Sequence, residues 1–559
     1  MKKRILSCIL FICSICVTAQ NFSWAKSFGE NGTTVVSSAM DASGNVYLMG
    51  NYSGTADFDP GPGVYTLSAV AYTDIFILKL DAAGNLLWAK TIGGGDYDIG
   101  KGMMLDNFGS MYITGMFSST ADFDPSPGTA TITANFFFSD VFILKLDLSG
   151  SFMWVNSVGG VNNDIVIDIN LTNLGYVYIT GTYSGAVDFD PSPNGTYLLS
   201  QGGTYILKLD FSGNFVWAKS VTPAITVLAL DSQDNIYLSG QLYNTTDLDP
   251  GPGTYTLAPS LGTDLYVSKW TGAGNFVWAK KIGGIDFDYV REIRVDASDD
   301  LYLTGSFGDV VDFDPGPGTY TLSSSVDVSP FICKLDSAGG FLWARHLNSL
   351  AMASSASFQD YRLDALVIDP QANVYLAGAF AGTLDFDPGP GTYTVTSKGT
   401  QDIFMLKLDA AGNFSKLYTA GGSTKDQGAA VCVNNAGEIF MSGTFGGTVD
   451  FDPVSGGYQL TSPNFRAFIL KLNGPDVGLY ENSLENPVTV YPNPARDLLT
   501  VDLQGAQQPE FRISNLLGQP VLTGRLNDRN QADVSQLPQG TYLLQVGNAS
   551  NRPFKLIKQ

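Results

Sequence analysis

The chain has 559 residues, with 31 Lys+Arg against 53 Asp+Glu and a formal net charge of -22. That balance excludes the concentrated positive face that duplex nucleic acid needs and disfavours anionic lipid. Divalent cations or basic partners suit it better, as does a solvated acidic surface that only keeps the protein soluble. The single His, His346, excludes a His cluster for zinc and a repeated His-based triad.

The chain opens Met1-Lys2-Lys3-Arg4, followed by an apolar run from Ile5 to Val17 and then Thr18-Ala19-Gln20. A positive end, a short apolar core and small residues before a polar one predict a signal peptide over residues 1–19, cleaved after Ala19. The run is short for a membrane span, and no later stretch of about 20 apolar residues follows. Cys8, Cys13 and Cys16 lie in this leader. The mature chain keeps Cys333 and Cys432, each replacing an apolar residue in a predicted strand, and two buried thiols are expected.

Residues 20–474 are organised around one stretch, Asp312-Phe313-Asp314-Pro315-Gly316-Pro317-Gly318-Thr319-Tyr320-Thr321. Versions of it start at Asp57, Asp122, Asp188, Asp247, Asp312, Asp385 and Asp450, at offsets of 65, 66, 59, 65, 73 and 65 residues. Such a period means one supersecondary unit repeated. The second unit shows its parts: strands from Asp98 to Asp106, Ser110 to Gly115, Asp140 to Asp147 and Phe152 to Asn156, with the Asp-Phe-Asp-Pro stretch between the second and third. Each strand is short, rich in β-branched or aromatic residues, and bounded by Gly, Asn and Asp. Four short antiparallel strands make a propeller blade.

Seven fourth strands are present, starting at Phe22, Leu86, Phe152, Phe215, Phe276, Phe341 and Phe414. The first has no blade before it, and the last third strand, ending at Leu472, has no fourth strand after it. A ring resolves both: Phe22–Lys26 supplies the outer strand of the seventh blade, and the closed sheet array leaves only short edges. First-to-second and third-to-fourth connections are tight Asp-x-x-Gly turns, such as Asp41-Ala42-Ser43-Gly44. They share one face of the ring. The signature stretches and the Gly-Gly inter-blade connections gather on the other.

In an extended segment residues i and i+2 point the same way, so Asp312 and Asp314 share a side while Phe313 packs opposite. Pro315 restrains Asp314, and Gly316 and Gly318 let the chain turn. The same carboxylate pairs recur as Asp57/Asp59, Asp122/Asp124, Asp188/Asp190, Asp247/Asp249, Asp385/Asp387 and Asp450/Asp452. Calcium, which takes carboxylate, carbonyl and water oxygens, is one reading of these 14 residues. The other is that one Asp caps the turn and its partner is solvated.

Trp24, Trp88, Trp154, Trp217, Trp278 and Trp343 occupy one repeat position and are expected to pack between blades. Tyr65, Tyr197, Tyr255, Tyr320 and Tyr393 follow the signature, as loop packing or as an exposed ring of aromatics. His346 opens the irregular insert from Leu347 to Gln359, and Arg291, Glu292, Arg294 and Arg362 lie near it in repeat terms. Two acids at the right separation suffice for glycoside chemistry, but none stands out from the acidic background.

After Leu472 the repeat stops. Residues 475–487 read as a linker, and residues 488–559 as a small β-sandwich with strands at Val488–Tyr491, Leu498–Leu503, Glu510–Ser514, Val521–Arg525, Gly540–Val546 and Arg552–Ile557.

Two resemblances follow from these residues. Asp41-Ala42-Ser43-Gly44-Asn45-Val46-Tyr47-Leu48-Met49-Gly50 and Asp74-Ile75-Phe76-Ile77-Leu78-Lys79-Leu80-Asp81-Ala82-Ala83-Gly84 resemble the beta-propeller (SBBP) repeat, which implies a seven-bladed propeller and no single activity. Val490-Tyr491-Pro492-Asn493-Pro494-Ala495, Ile513-Ser514-Asn515-Leu516-Leu517-Gly518-Gln519 and Leu537-Pro538-Gln539-Gly540-Thr541-Tyr542 resemble the type A sorting domain of the type IX secretion system of Bacteroidota. That resemblance implies export across both membranes, recognition of the tail by the outer-membrane machinery, and release or surface attachment of the cargo. The expectation is a secreted or surface-attached, non-catalytic propeller binding an extracellular glycan or protein. The alternatives are a secreted carbohydrate-active enzyme and a structural surface protein with calcium-stiffened loops.

Overall fold

The structure, a computed structural model, describes residues 22–30, 32–135, 138–324, 328–351, 361–454, 457–474, 488–491, 495–503, 510–515, 519–527, 529–546 and 554–558. The expected leader with Cys8, Cys13 and Cys16, the expected linker, and most of the Leu347–Gln359 insert lie outside the described residues. The chain divides into two compact units, Met1–Gly474 and Pro475–Gln559.

The first unit is a closed seven-bladed β-propeller. Blade two runs from the inside outward as Asp98–Leu105, Ser110–Phe117, Asp140–Asp147 and Phe152–Val158, all antiparallel. Blade seven takes three strands from the end of the repeat, Gln427–Val433, Ile439–Asp450 and Gln459–Leu472, and a fourth from its start, Phe22–Phe28. Phe22 pairs with Leu472 and Phe28 with Ala467, so the ring closes as the strand count requires.

The core lies in the seams between blades. Middle strands such as Val46–Tyr52 and Asp74–Leu80 are buried on both faces, because each blade packs against two neighbours. Outer strands such as Phe215–Val221 are only part-buried. The tryptophans bridge adjacent blades as expected. Trp154 meets Tyr112 of its own blade edge-on at 6.2 Å and donates its indole N–H to Phe211 O of the next blade at 3.3 Å. Gly213, at φ 83°, lies against that ring; a Cβ there would come within 3.3 Å of it.

The signature stretch is a short hairpin rather than an open loop. Thr55–Asp57 pairs with Thr66–Ser68, and each blade repeats the arrangement. Its Phe is fully buried. Phe313 meets Phe307 edge-on at 5.3 Å and tilts over Phe331 at 4.9 Å. Six blades carry such an aromatic triad; blade four has Leu248 instead.

The hairpin also crosses a seam. Asp122 and Ala121 pair with Gly93 and Gly94 at the end of blade one's outer strand, and Asp312 and Val311 with Gly283 and Gly284. Glycine is required for that approach, since a Cβ on Gly94 would fall 2.1 Å from Thr120 O. The Asp122 and Asp312 signatures therefore pack their own blade and clip it to the preceding one.

The second unit is a small sandwich of two sheets. One holds Val488–Tyr491, Leu498–Leu503 and Gln531–Asp533; the other holds Pro520–Arg525, Glu510–Ser514, Gly540–Val546 and Phe554–Lys558. Leu499, Val501, Ile513, Val534, Leu544 and Leu556 form its core. The sequence pattern does not predict the strand at Gln531–Asp533, which at three residues is too short to show one. Among the described residues no helix is long and apolar enough to cross a membrane.

Candidate functional site

The signature carboxylates sit in their hairpins as turn acceptors. Asp312 Oδ1 accepts the N–H groups of Asp314 at 3.1 Å and Tyr320 at 2.8 Å. Asp314 Oδ1 accepts Gly316 N–H at 2.8 Å. The first Asp of every other signature, Asp57, Asp122, Asp188, Asp247, Asp385 and Asp450, makes the same pair of bonds. Asp59, Asp124, Asp190, Asp249 and Asp387 each take an N–H two residues on, as Asp314 does.

Asp452, the second Asp of the seventh signature, sits in a different turn. The stretch there reads Asp450-Phe451-Asp452-Pro453-Val454-Ser455-Gly456-Gly457, with Val454 where the other signatures have Gly or Ser. Asp452 donates its N–H to Asp450 Oδ1 at 3.0 Å, and its main-chain carbonyl accepts Gly457 N–H at 3.1 Å. The first carboxylate is thus engaged alike in all seven signatures. In the Asp312 hairpin the bonds above use one oxygen of each carboxylate. Among the described residues no three His, Cys, Asp or Glu side chains gather as a metal cluster. Calcium at a signature would therefore draw on one carboxylate pair, completed by main-chain carbonyls and water.

A second acidic set lies deeper, on the same face. Asp74, Asp140, Asp264 and Asp402 open third strands; Asp98, Asp164, Asp288 and Asp426 lie at the start of the next blade. Each pair is 24 residues apart in sequence and meets at a seam, where Asp98 N–H, for one, donates to Thr73 O at 2.8 Å. All eight side chains are buried. Asp98 Oδ2 accepts Gly94 N–H and Asp74 Oδ2 accepts Val70 N–H at 3.0 Å, yet Asp74 Oδ1 and Asp98 Oδ1 have no hydrogen-bond partner. The Ser118 amide also acts on Asp98, against the effect of burial, without completing a hydrogen bond to Oδ1. Burial pushes Asp98 up to about 7, with the charge of Asp74 adding to it; Asp288 is likewise pushed up to about 7 and Asp140 to about 6. Sequence reasoning missed these pairs. Their trace in the sequence is the constant spacing and the Gly-Gly step before the second Asp, which alone does not bring the two together.

The central channel encloses a cavity of about 580 Å³. Every innermost strand carries a β-bulge at one repeat position, which falls at Val36, Lys101, Ile167, Thr226, Arg291, Asp364 and Ala429. A bulge re-aims side chains, and this ring varies in chemistry while its surroundings repeat. Beside it Glu292 pairs with Arg294, and Asp168 accepts Asn170 Nδ2 at 2.9 Å. Burial raises both Glu292, to about 7, and Asp168, against the opposing charge of Arg294. Arg291, Glu292 and Arg294 thus come together on the channel wall. His346 does not join them. It lies on an outer strand, with Nε2 2.7 Å from Asn348 Oδ1 and its ring edge-on to Phe307.

Most signature tyrosines lie against a neighbouring Phe, though Tyr197 and Tyr255 stay 40% and 39% exposed. Tyr197, Tyr255, Tyr320 and Tyr393 lie on Phe215, Phe276, Phe341 and Phe414 at 4.8 to 5.0 Å. A different pair faces solvent. Tyr72 and Tyr97 stack at 4.9 Å and 11°, yet remain 60% and 52% exposed. They flank Asp74 and Asp98 at the seam of blades one and two, and no other blade repeats the pair.

The fold and the tail define a secreted or surface β-propeller exported through the type IX system. Residues 489–559 match the family of secretion system C-terminal sorting domains. An uncharacterised WD repeat-containing protein of Acanthamoeba polyphaga mimivirus is 24% identical over 51% of this chain and 25% of its own length. The regulatory protein FlaEY of Caulobacter vibrioides is 22% identical over 67% of this chain and 39% of its own. The chain thus spans well under half the length of the curated relatives it matches. Among solved structures, a protein described as the extracellular domain of a hybrid two-component system, BT3049 of B. thetaiotaomicron, aligns over 95% of this chain and 98% of its own at 11% identity. Its TM-score of 0.16 carries no argument.

Proposed function

We propose that the protein is a non-catalytic binding module that holds an extracellular glycan on the loop face of its propeller. The observation that carries this reading is the Tyr72–Tyr97 stack. Other large aromatic rings are exposed, Phe108, Tyr243 and Phe287 among them, but Tyr72 and Tyr97 are stacked on each other with both rings open to solvent. Exposed aromatic surface of this kind marks contact sites, and its departure from the repeat separates it from the architecture. Calcium at the signature carboxylates, in this reading, stiffens the hairpins and does not form the contact.

The test is binding of the full chain to a panel of immobilised polysaccharides, with the Tyr72→Ala/Tyr97→Ala double variant alongside. The expected result is at least about a tenfold loss of affinity, with stability changed by no more than about 0.5 kcal/mol. Equal binding by the variant sinks the reading, and capture of protein but no glycan moves the contact to a protein partner. Glu292 and Asp168 favour a second reading, a carbohydrate-active enzyme working in the channel, because carboxyls with raised pKa are the usual acid catalysts. Polysaccharide cleavage that disappears in Glu292→Gln would carry it.

A further inference from the structure

The four seam pairs are not equivalent, and their differences mark a cation site. At the seam of blades six and seven every carboxylate oxygen is bonded: Asp402 takes the N–H groups of Lys398 and Gly399, and Asp426 those of Gly422 and Gly446. At the seam of blades four and five the chain supplies its own cation. Lys281 Nζ lies 2.6 Å from Asp264 Oδ2 and 2.8 Å from Ser260 Oγ.

At the seam of blades one and two neither provision exists. Thr91 faces Phe76 across the ladder just as Lys281 faces Tyr266, so blade one has a hydroxyl where blade four has an ammonium. That hydroxyl is engaged by Tyr52, which donates to it at 2.9 Å. Among the described residues no cation pairs with Asp74 or Asp98. Yet Asp74 is 1% and Asp98 0% exposed, each with an unpartnered Oδ1. The two face one small space: a Cβ built on Gly93 would lie 2.6 Å from Asp74 Oδ1 and 3.0 Å from Asp98 Oδ2. Asp74 also lines a cavity of about 410 Å³ with Asp122 and Asp124 of the next signature.

We infer that the seam of blades one and two is a calcium site built on Asp74 and Asp98. Burying two carboxylates with oxygens unanswered is costly; at the Lys281 seam Oδ1 of Asp264 and of Asp288 also lack partners, but an ammonium offsets the charge there, and a divalent cation does so for Asp74 and Asp98. Calcium takes about six to eight oxygens and accepts backbone carbonyls and water beside carboxylates. The inference does not depend on the glycan reading.

The experiment is calorimetric titration of calcium into the full chain, with thermal melts and with magnesium as comparator. The wild type should bind calcium with a rise in melting temperature, and Asp98→Asn should lose one equivalent. Thr91→Lys places an ammonium where Lys281 stands in blade four. It should lose the same equivalent while melting, in chelator, at or above the wild-type temperature. Unchanged stoichiometry in both variants overturns the assignment, as does a wild type that shows no heat and no shift. Equivalents that persist in both variants belong to other sites, such as the signature hairpins.

Discussion

Asp231 and Asp288 are the same side chain at opposite ends of neighbouring blades. Asp231 sits in the tight turn of blade four. Its Oδ1 accepts the N–H groups of Gln233 and Asn235, its Oδ2 accepts Asn235 Nδ2, and Lys269 lies 3.1 Å away. Burial pushes its pKa up, but Asn235, Lys269 and Gln233 together hold it below the ordinary value. Asp288 sits at the seam on the loop face, fully buried, accepts Gly284 N–H at 2.8 Å, and keeps Oδ1 without a partner. Burial wins there, with Asp264 and Asp286 adding to it. The pair teaches that enclosure alone does not decide a carboxylate's state; the number of donors aimed at it does.

The comparison breaks hardest at the turn. Asp231→Ala strands Lys269, which is left with only Tyr237 Oη and Ser337 O as buried partners. Chemical denaturation should register a loss of about 3 kcal/mol; a change below about 1 kcal/mol would show that those two partners suffice.

Next in size is a pH effect at the seam. A carboxylate raised to about 7 in the folded state contributes stability that is complete below its ordinary value of 3.8 and is lost as pH rises through about 7. Asp288→Asn should therefore flatten the decline in stability between pH 5 and 7 by on the order of 2 kcal/mol, read from urea melts at each pH. An unaltered slope removes the titrating role from Asp288. The smallest effect belongs to an exposed turn. Asp210 accepts Ser212 N–H, Asn214 N–H and Asn214 Nδ2, while the nearby Lys145 feels its charge but bonds Phe211 O, so Asp210→Ala should cost about 1 kcal/mol. A cost equal to that of Asp231→Ala would show that the turn bonds, and not Lys269, set the difference.

The ring was legible in the chain because a closed repeat leaves an arithmetic trace: a fourth strand at Phe22 and a missing one after Leu472. The role of Phe313 was legible too, since alternation puts it opposite Asp312 and Asp314. The hairpin nature of the signature was hidden, because three-residue strands such as Thr321–Ser323 are too short to show a period. The seam pairs were hidden for another reason. Asp74 and Asp98 belong to different blades, and only the docking of one blade on the next turns a 24-residue spacing into an encounter. The channel bulges at Lys101 and Arg291 are single-residue shifts inside strands, too local to change the reading of either strand.

The closing of the ring has a mechanical side. The chain leaves the propeller at Gly474, straight from Gln459–Leu472. That strand is not the outer one of its blade: Phe22–Phe28 lies on one flank and Ile439–Asp450 on the other. A pull on the polypeptide beyond Leu472 is therefore shared between two hydrogen-bond ladders. An outer strand in that place would be held by one ladder and would unzip a bond at a time. Borrowing the outermost strand from the far end of the sequence puts the exit point in the interior of a sheet, and a propeller tethered there withstands drag better than one in which each blade closes on itself.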